Sequence, residues 1–189
     1  GYSKASGSAQ LAYTGSNWNL SGLYTYNNRG VSVGATPFAS SAYSTGFGGT
    51  NAFALAGYWQ PLESGWIPSI SAGWGLTGYS QYDDAFNFDG PTSNSWYVGL
   101  QWDDAFIKGN ALGMAVGQPT FITSCGDFCN DSPRDGNYAW EWWYKFQVTD
   151  NISVTPALYY LSQTAGQLGK VNDSSVNNFG GIIKTTFKF

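Results

Sequence analysis

The stretch Asn137-Tyr-Ala-Trp-Glu-Trp-Trp-Tyr-Lys-Phe-Gln-Val-Thr149 decides how this chain folds. Its even positions, Tyr138, Trp140, Trp142, Tyr144, Phe146 and Val148, are all aromatic or aliphatic. Its odd positions, Ala139, Glu141, Trp143, Lys145 and Gln147, carry the charge. A strand sends successive side chains to opposite faces, so this period-two alternation describes a strand with one apolar and one largely wet surface. A helix would mix the two sets around its circumference.

The same alternation recurs along the chain. Ile152, Val154, Pro156, Leu158 and Tyr160 alternate with Ser153, Thr155, Ala157 and Tyr159. Phe179, Gly181, Ile183, Thr185, Phe187 and Phe189 alternate with Ile182, Lys184, Thr186 and Lys188. Upstream, the apolar sets are Leu112, Met114 and Val116; Trp96, Val98, Leu100 and Trp102; and Trp66, Ile70, Ala72, Trp74 and Leu76. Further back come Phe53, Leu55, Gly57 and Trp59, then Trp18, Leu20, Gly22, Tyr24 and Tyr26, and finally Ala9, Leu11 and Tyr13. About nine strands of roughly ten residues result, the length a tilted strand needs to cross a bilayer.

The connections carry a second signal because they alternate in length. Residues 14–17, 61–65, 103–109 and 149–151 read as tight turns, whereas 27–50, 80–92, 122–136 and 163–177 are long and rich in Gly, Ser, Asn and Asp. Short turns on one side and long loops on the other fit a membrane barrel better than a β-sandwich. The fold class expected is therefore all-β: a transmembrane antiparallel up-and-down β-barrel.

Composition agrees. Aromatic residues make up 18% of the 189 residues and charged residues only 11%, with 25 glycines. With a mean hydropathy of -0.24 and no long apolar run, a transmembrane helix is not expected. The net charge is -4 and the eight Lys and Arg are scattered, so no basic stripe invites nucleic acid. Histidine is absent, which removes Ser-His catalysis and the commonest metal ligand, and no carboxylate pair suggests acid–base chemistry. The reading is a non-enzyme without cofactor or metal site.

Three sets of residues attract functional readings. Trp18, Trp66, Trp74, Trp96, Trp102, Trp140 and Trp142, with Tyr26, belong to the apolar faces and suggest aromatic girdles at the membrane interfaces. The competing reading is a secreted carbohydrate-binding β-sandwich that stacks Trp on sugar rings. Glu141, Lys145, Lys184 and Lys188, with Tyr97, Gln101 and Tyr159, fall on the opposite face and are candidates to line a pore. The alternative for Glu141 and Lys145 is a local ion pair. Third, Cys125 and Cys129 lie four apart in a polar segment, pointing to a small loop-closing disulfide or else two reduced thiols. Asp83, Asp84 and Asp89, and Asp127, Asp131 and Asp135, give two acidic loops that attract cations without the spacing of an EF-hand.

The segments Gly113-Met-Ala-Val-Gly-Gln-Pro-Thr-Phe121, Tyr138-Ala-Trp-Glu-Trp-Trp-Tyr-Lys-Phe146 and Val148-Thr-Asp-Asn-Ile-Ser-Val-Thr-Pro-Ala157 resemble the cyanobacterial OprB-like porins, the iron-uptake and S-layer-homology-domain porin group. The ending Lys184-Thr-Thr-Phe-Lys-Phe189 also looks like a terminal-aromatic barrel-assembly signal. The resemblance implies a trimeric or otherwise homo-oligomeric channel in the cyanobacterial outer membrane, surrounded by lipid, for carbohydrate or for inorganic ions including iron. It further implies an N-terminal S-layer-homology domain that grips cell-wall polymer; residues 1–189 read as the C-terminal barrel portion without it. A 16-stranded barrel at about 20 residues per strand and connection needs roughly 320 residues, so this portion is about half. The expected function is passive diffusion of small hydrophilic solutes, against the rival of a non-conducting anchor or adhesin barrel.

The cysteine segment yields the first test. If 122–136 constricts the pore and the disulfide stiffens it, Cys125→Ser/Cys129→Ser changes single-channel conductance and ion selectivity; unchanged values remove the loop from that role.

Overall fold

The computed structural model describes residues 5–28, 49–63, 65–80, 90–124, 136–164 and 176–188. The cysteines and both acidic loops lie outside these residues. Among the described residues nine strands form one antiparallel sheet: β1 (Ser6–Thr14), β2 (Trp18–Asn27), β3 (Thr50–Trp59), β4 (Ser69–Tyr79), β5 (Thr92–Asp103), β6 (Ala111–Ser124), β7 (Ala139–Thr149), β8 (Ile152–Leu161) and β9 (Asn178–Phe187). They pair strictly in sequence order, so the sheet is an up-and-down meander. Among the described residues β1 pairs with β2 alone and β9 with β8 alone, so these two strands form the edges of the sheet. Among the described residues no helix is long and apolar enough to cross a membrane.

Register turns the alternation of single strands into two continuous faces. Tyr13 pairs with Leu20, Leu20 with Gly57, Gly57 with Ala72, Ala72 with Val98, Val98 with Val116, Val116 with Trp140, and Trp140 with Tyr160. Directly opposed residues share a face, so this row is the apolar face. One residue along, Ala12, Ser21, Ala56, Gly73, Tyr97, Gly117 and Ala139 form a row of the other face, whose residues are small apart from Tyr97. A slip of one residue would exchange the faces, so the register is fixed by the need to keep charge off the apolar one.

Two prolines sit where the ladder can spare a donor. Between β5 and β6 the register jumps from Trp96–Gln118 to Asn94–Phe121, a bulge that takes in Pro119. In β8, Pro156 still opposes Ile183 of β9, but the pairing to β7 lapses between Trp143–Ala157 and Phe146–Val154, on the side that lacks the N–H.

Two sequence expectations need correction. Trp66 does not belong to β4: the strand starts at Ser69, and Trp66 lies in the connection 60–68, 97% exposed. The spacing from Trp66 to Ile70 mimicked period two, but Pro68 denies the backbone a ladder donor. The long segment expected to begin at 122 begins later, because β6 runs on to Ser124, carried past Pro119 by the bulge.

The short-turn end is tied by side chains. In the connection 104–110, Asp104 (φ 56°), Phe106 (φ 64°) and Gly109 (φ 87°) adopt left-handed conformations. The Asp104 carboxylate accepts the Gly109 N–H at 2.7 Å, and Tyr144 Oη donates to the Ala105 carbonyl at 2.8 Å while accepting from Asn110 Nδ2 at 3.0 Å. At the long-loop end the described core is partly polar: Tyr79, Ile122, Asn51, Ser80 and Ser93 are buried.

Tight backbone approach supplies a stability test. A Cβ on Gly117, in the middle of β6, would stand 2.5 Å from the Trp96 carbonyl oxygen. Gly117→Ala is expected to destabilise the folded protein by about 1–3 kcal/mol, read as a lower urea midpoint in detergent, while Gly7→Ala, with open space around it, leaves the midpoint unchanged.

Candidate membrane face and pore wall

The apolar face is edged by rings at both ends. Towards the short turns, Trp18 opposes Trp59, and Trp102 lies beside Leu112, which opposes Tyr144. The Trp102 indole N–H donates to the Trp66 carbonyl at 3.0 Å, so the displaced Trp66 still stands at this end. Phe106 and Tyr144 approach with centroids 6.1 Å apart. Towards the long loops, Trp96 meets Tyr138 edge-on at 6.4 Å, and Trp140 stacks on Trp142 at 6.0 Å. Trp74 opposes Trp96 from the middle of β4.

Beyond Trp96 the same face turns polar. Asn94 Nδ2 donates to Thr123 Oγ1 at 2.8 Å, and Thr92 and Thr123 hydroxyls are 3.3 Å apart. Within the apolar zone the Trp96 indole N–H is satisfied by Gln118 Oε1 at 2.7 Å. On β7 the apolar series from Tyr138 to Val148 covers about 33 Å along the strand, or about 25 Å in projection at a tilt near 40°, the height of a barrel's hydrocarbon belt. Large hydrophobics on this face lie open: Leu11 is 83% and Ile183 75% exposed.

On the polar face Tyr97, Gln101, Glu141, Lys145, Tyr159 and Lys184 all stand together, as their registers require. Lys188 follows β9, its backbone N–H bonded to the Asn151 carbonyl at 2.9 Å. Glu141 opposes both Ala115 and Tyr159. The expected alternative of a Glu141–Lys145 ion pair does not form: four residues apart on an extended strand, their Cα atoms are about 13 Å apart. Lys145 shares a row with Asp103 through Ala111, and lies level with Thr155, which opposes Lys184. Three charges thus occupy one rung near the short turns.

Large rings on this face lie over glycines. A Cβ at Gly73 would collide with the Tyr97 ring, at Gly113 with Trp143, and at Gly180 with Tyr159. Each ring leans onto the neighbouring strand, so the wall stays smooth although it carries bulky aromatics. Sequence reading missed Trp143, Asp103, Tyr58 and Gln60 here. Parity with Glu141 marked Trp143 as a same-face residue, but its apolar ring set it apart from the polar groups around it; Asp103 was read as the start of the turn 103–109, whereas β5 runs on to include it, and the connection residue Gln60 carried no such signal.

An antiparallel up-and-down meander with a ring-edged apolar face and an opposite face of small, polar and charged residues is the arrangement of strands found in the wall of a membrane β-barrel. The family model described as the OprB family of carbohydrate-selective porins matches residues 10–189, and the chain belongs to that family, whose members are outer-membrane porins. An uncharacterized protein of Nostoc sp. is 28% identical over 189 residues, covering 100% of this chain and 28% of that protein. An uncharacterized protein of Synechocystis sp. is 25% identical over 207 residues, covering 100% of this chain and 35% of that protein. The chain thus spans about a third of the length of these curated relatives. No solved structure matches it.

Neighbouring residues on opposite faces separate lipid from water. Leu55→Arg, on the apolar face, is expected to cost about 2–4 kcal/mol of folding stability in lipid vesicles, whereas Ala56→Arg costs far less; equal costs would mean the two faces meet the same medium.

Proposed function

We propose that these nine strands form part of the wall of a water-filled outer-membrane channel through which small hydrophilic solutes diffuse passively, sugars first. The observation that carries this reading is the pair of continuous faces: one apolar with aromatic edges, one of Gly, Ala, Ser, Thr and charged groups with Tyr97, Trp143 and Tyr159 laid over glycines. The family's description supports sugars; passage of inorganic ions, including iron, follows from the width of any such pore and needs no dedicated site. Every step is diffusion, so no residue is assigned a catalytic role.

Hydrocarbon tolerates no open sheet edge, because each unpaired N–H and C=O there costs several kcal/mol. In the assembled barrel β1 and β9 are therefore both paired. Outer-membrane lipid covers the apolar face except where copies meet in a homotrimer. Tyr97, Gln101, Glu141, Lys145, Tyr159 and Lys184 line the pore, with Lys188 at its short-turn mouth and Trp18, Trp66, Trp74, Trp96, Trp102, Trp140 and Trp142 on the lipid side.

Planar-bilayer recording tests the reading. Steady open steps are expected. Lys145→Glu/Lys184→Glu reverses two charges on one rung and should move the zero-current potential in a salt gradient toward cation preference. Silence from correctly folded protein would transfer the fold to an anchor or adhesin role.

A further inference from the structure

Two connections at the short-turn end are tied to the apolar side of the sheet. Trp66, in the connection 60–68, is held by its carbonyl, which accepts the indole N–H of Trp102 on β5 at 3.0 Å. The connection 104–110 is held by Tyr144 of β7, whose hydroxyl donates to the Ala105 carbonyl at 2.8 Å. Two backbone bonds tighten it further: the Ile107 N–H donates to the Ala105 carbonyl at 2.8 Å and the Asn110 N–H to the Ile107 carbonyl at 3.0 Å. Within this connection Phe106 has φ 64°, a left-handed backbone that bulky residues rarely adopt. Phe106 is nevertheless 87% exposed, and Trp66 more so.

The two connections border a cavity of about 540 Å³, lined by Gly65 and Trp66 from one, Asp104 and Phe106 from the other, and Trp102 and Leu112 from β5 and β6. Trp102 and Leu112 oppose each other on the apolar face, so the cavity adjoins the end of that face. Girdle rings along the strands explain contact with an interface. They do not explain two exposed rings held on separate connections around a cleft within the about 300–1,000 Å³ range of small-molecule sites. The surrounding charge is negative: residues 60–68 and 103–110 carry Glu63, Asp103 and Asp104 against Lys108 alone.

We infer that this cavity holds a single lipid of the leaflet on the short-turn side, one whose headgroup has no net charge and offers N–H or O–H donors. The first methylenes of its acyl chains pack on Trp102 and Leu112, continuing the contact that hydrocarbon makes with the apolar face. The headgroup lies beside Trp66 and Phe106, whose ring faces receive an ammonium or the C–H face of a polyhydroxyl ring. A carboxylate has about four acceptor sites, so Asp104, which accepts the Gly109 N–H at 2.7 Å, also accepts from the headgroup. The surplus of acids opposes an anionic headgroup. The inference rests on the lipid-side reading of the apolar face and is independent of conduction.

The test is native mass spectrometry of the full-length protein released from micelles that contain equal amounts of phosphatidylethanolamine, monogalactosyldiacylglycerol and phosphatidylglycerol. One lipid retained per copy is expected, of the first or second kind; which of the two is retained assigns the donors to an ammonium or to hydroxyls. Trp66→Ala/Phe106→Ala needs about tenfold more lipid for the same retention, with an unchanged urea midpoint because both side chains are exposed. In Asp104→Asn, whose amide oxygen still accepts the Gly109 N–H, a lipid is retained but phosphatidylglycerol now competes. Leu11→Ala, on β1, leaves retention as it was. No retained lipid, retention led by phosphatidylglycerol, or retention unchanged in the double variant overturns the site. Equal costs of Leu55→Arg and Ala56→Arg would remove the lipid-side reading and the site with it, whereas unequal costs without a retained lipid overturn the site alone.

Discussion

The structure depends on the backbone's need for hydrogen-bond partners in a medium that supplies none. In hydrocarbon the chain has two solutions, a helix or a closed set of strands, and this sequence has no helix of the required length and apolarity among its described residues. Strands bring period-two alternation, and alternation brings two faces. Once β7 places Trp140, Trp142, Tyr144 and Phe146 on one side, register carries that choice through every neighbouring strand. The meander order keeps all these pairings local, so no crossover has to be satisfied inside the membrane.

A second constraint governs the opposite face. A pore wall needs free space, yet it must also be stiff, and this chain answers with glycines set opposite large rings. Gly73, Gly113 and Gly180 each provide the gap into which Tyr97, Trp143 or Tyr159 settles. The rings bury backbone that would otherwise be loosely covered, without projecting into the space above. On this face glycine and aromatic residues are thus two halves of one packing arrangement.

Much of this was legible in the sequence. The alternation in 137–149 gave strand, faces and approximate bounds together, and the loop-length asymmetry gave the two ends. Lys145, Lys184, Glu141, Tyr97, Gln101 and Tyr159 were placed on a common face by parity alone. What parity does not carry is relative register between strands, which comes from backbone pairing. Hence Trp66 was threaded onto β4, the bulge at Pro119 was not foreseen, and the Trp143–Gly113 pairing was invisible, since those two residues are brought together only when β6 and β7 align. Gln60 and Asp103 meet for the same reason, from segments far apart in the chain.

The most direct measurement of the two-faced wall is a nitroxide scan of β7, one spin label at a time from Ala139 to Thr149, in a Cys125→Ser/Cys129→Ser background reconstituted in lipid vesicles. The account predicts that collisions with oxygen peak at positions 140, 142, 144, 146 and 148, and that collisions with a water-soluble nickel complex peak at 141, 143, 145 and 147. Equal access of the nickel complex to both sets would contradict it, because neither face would then be in contact with lipid.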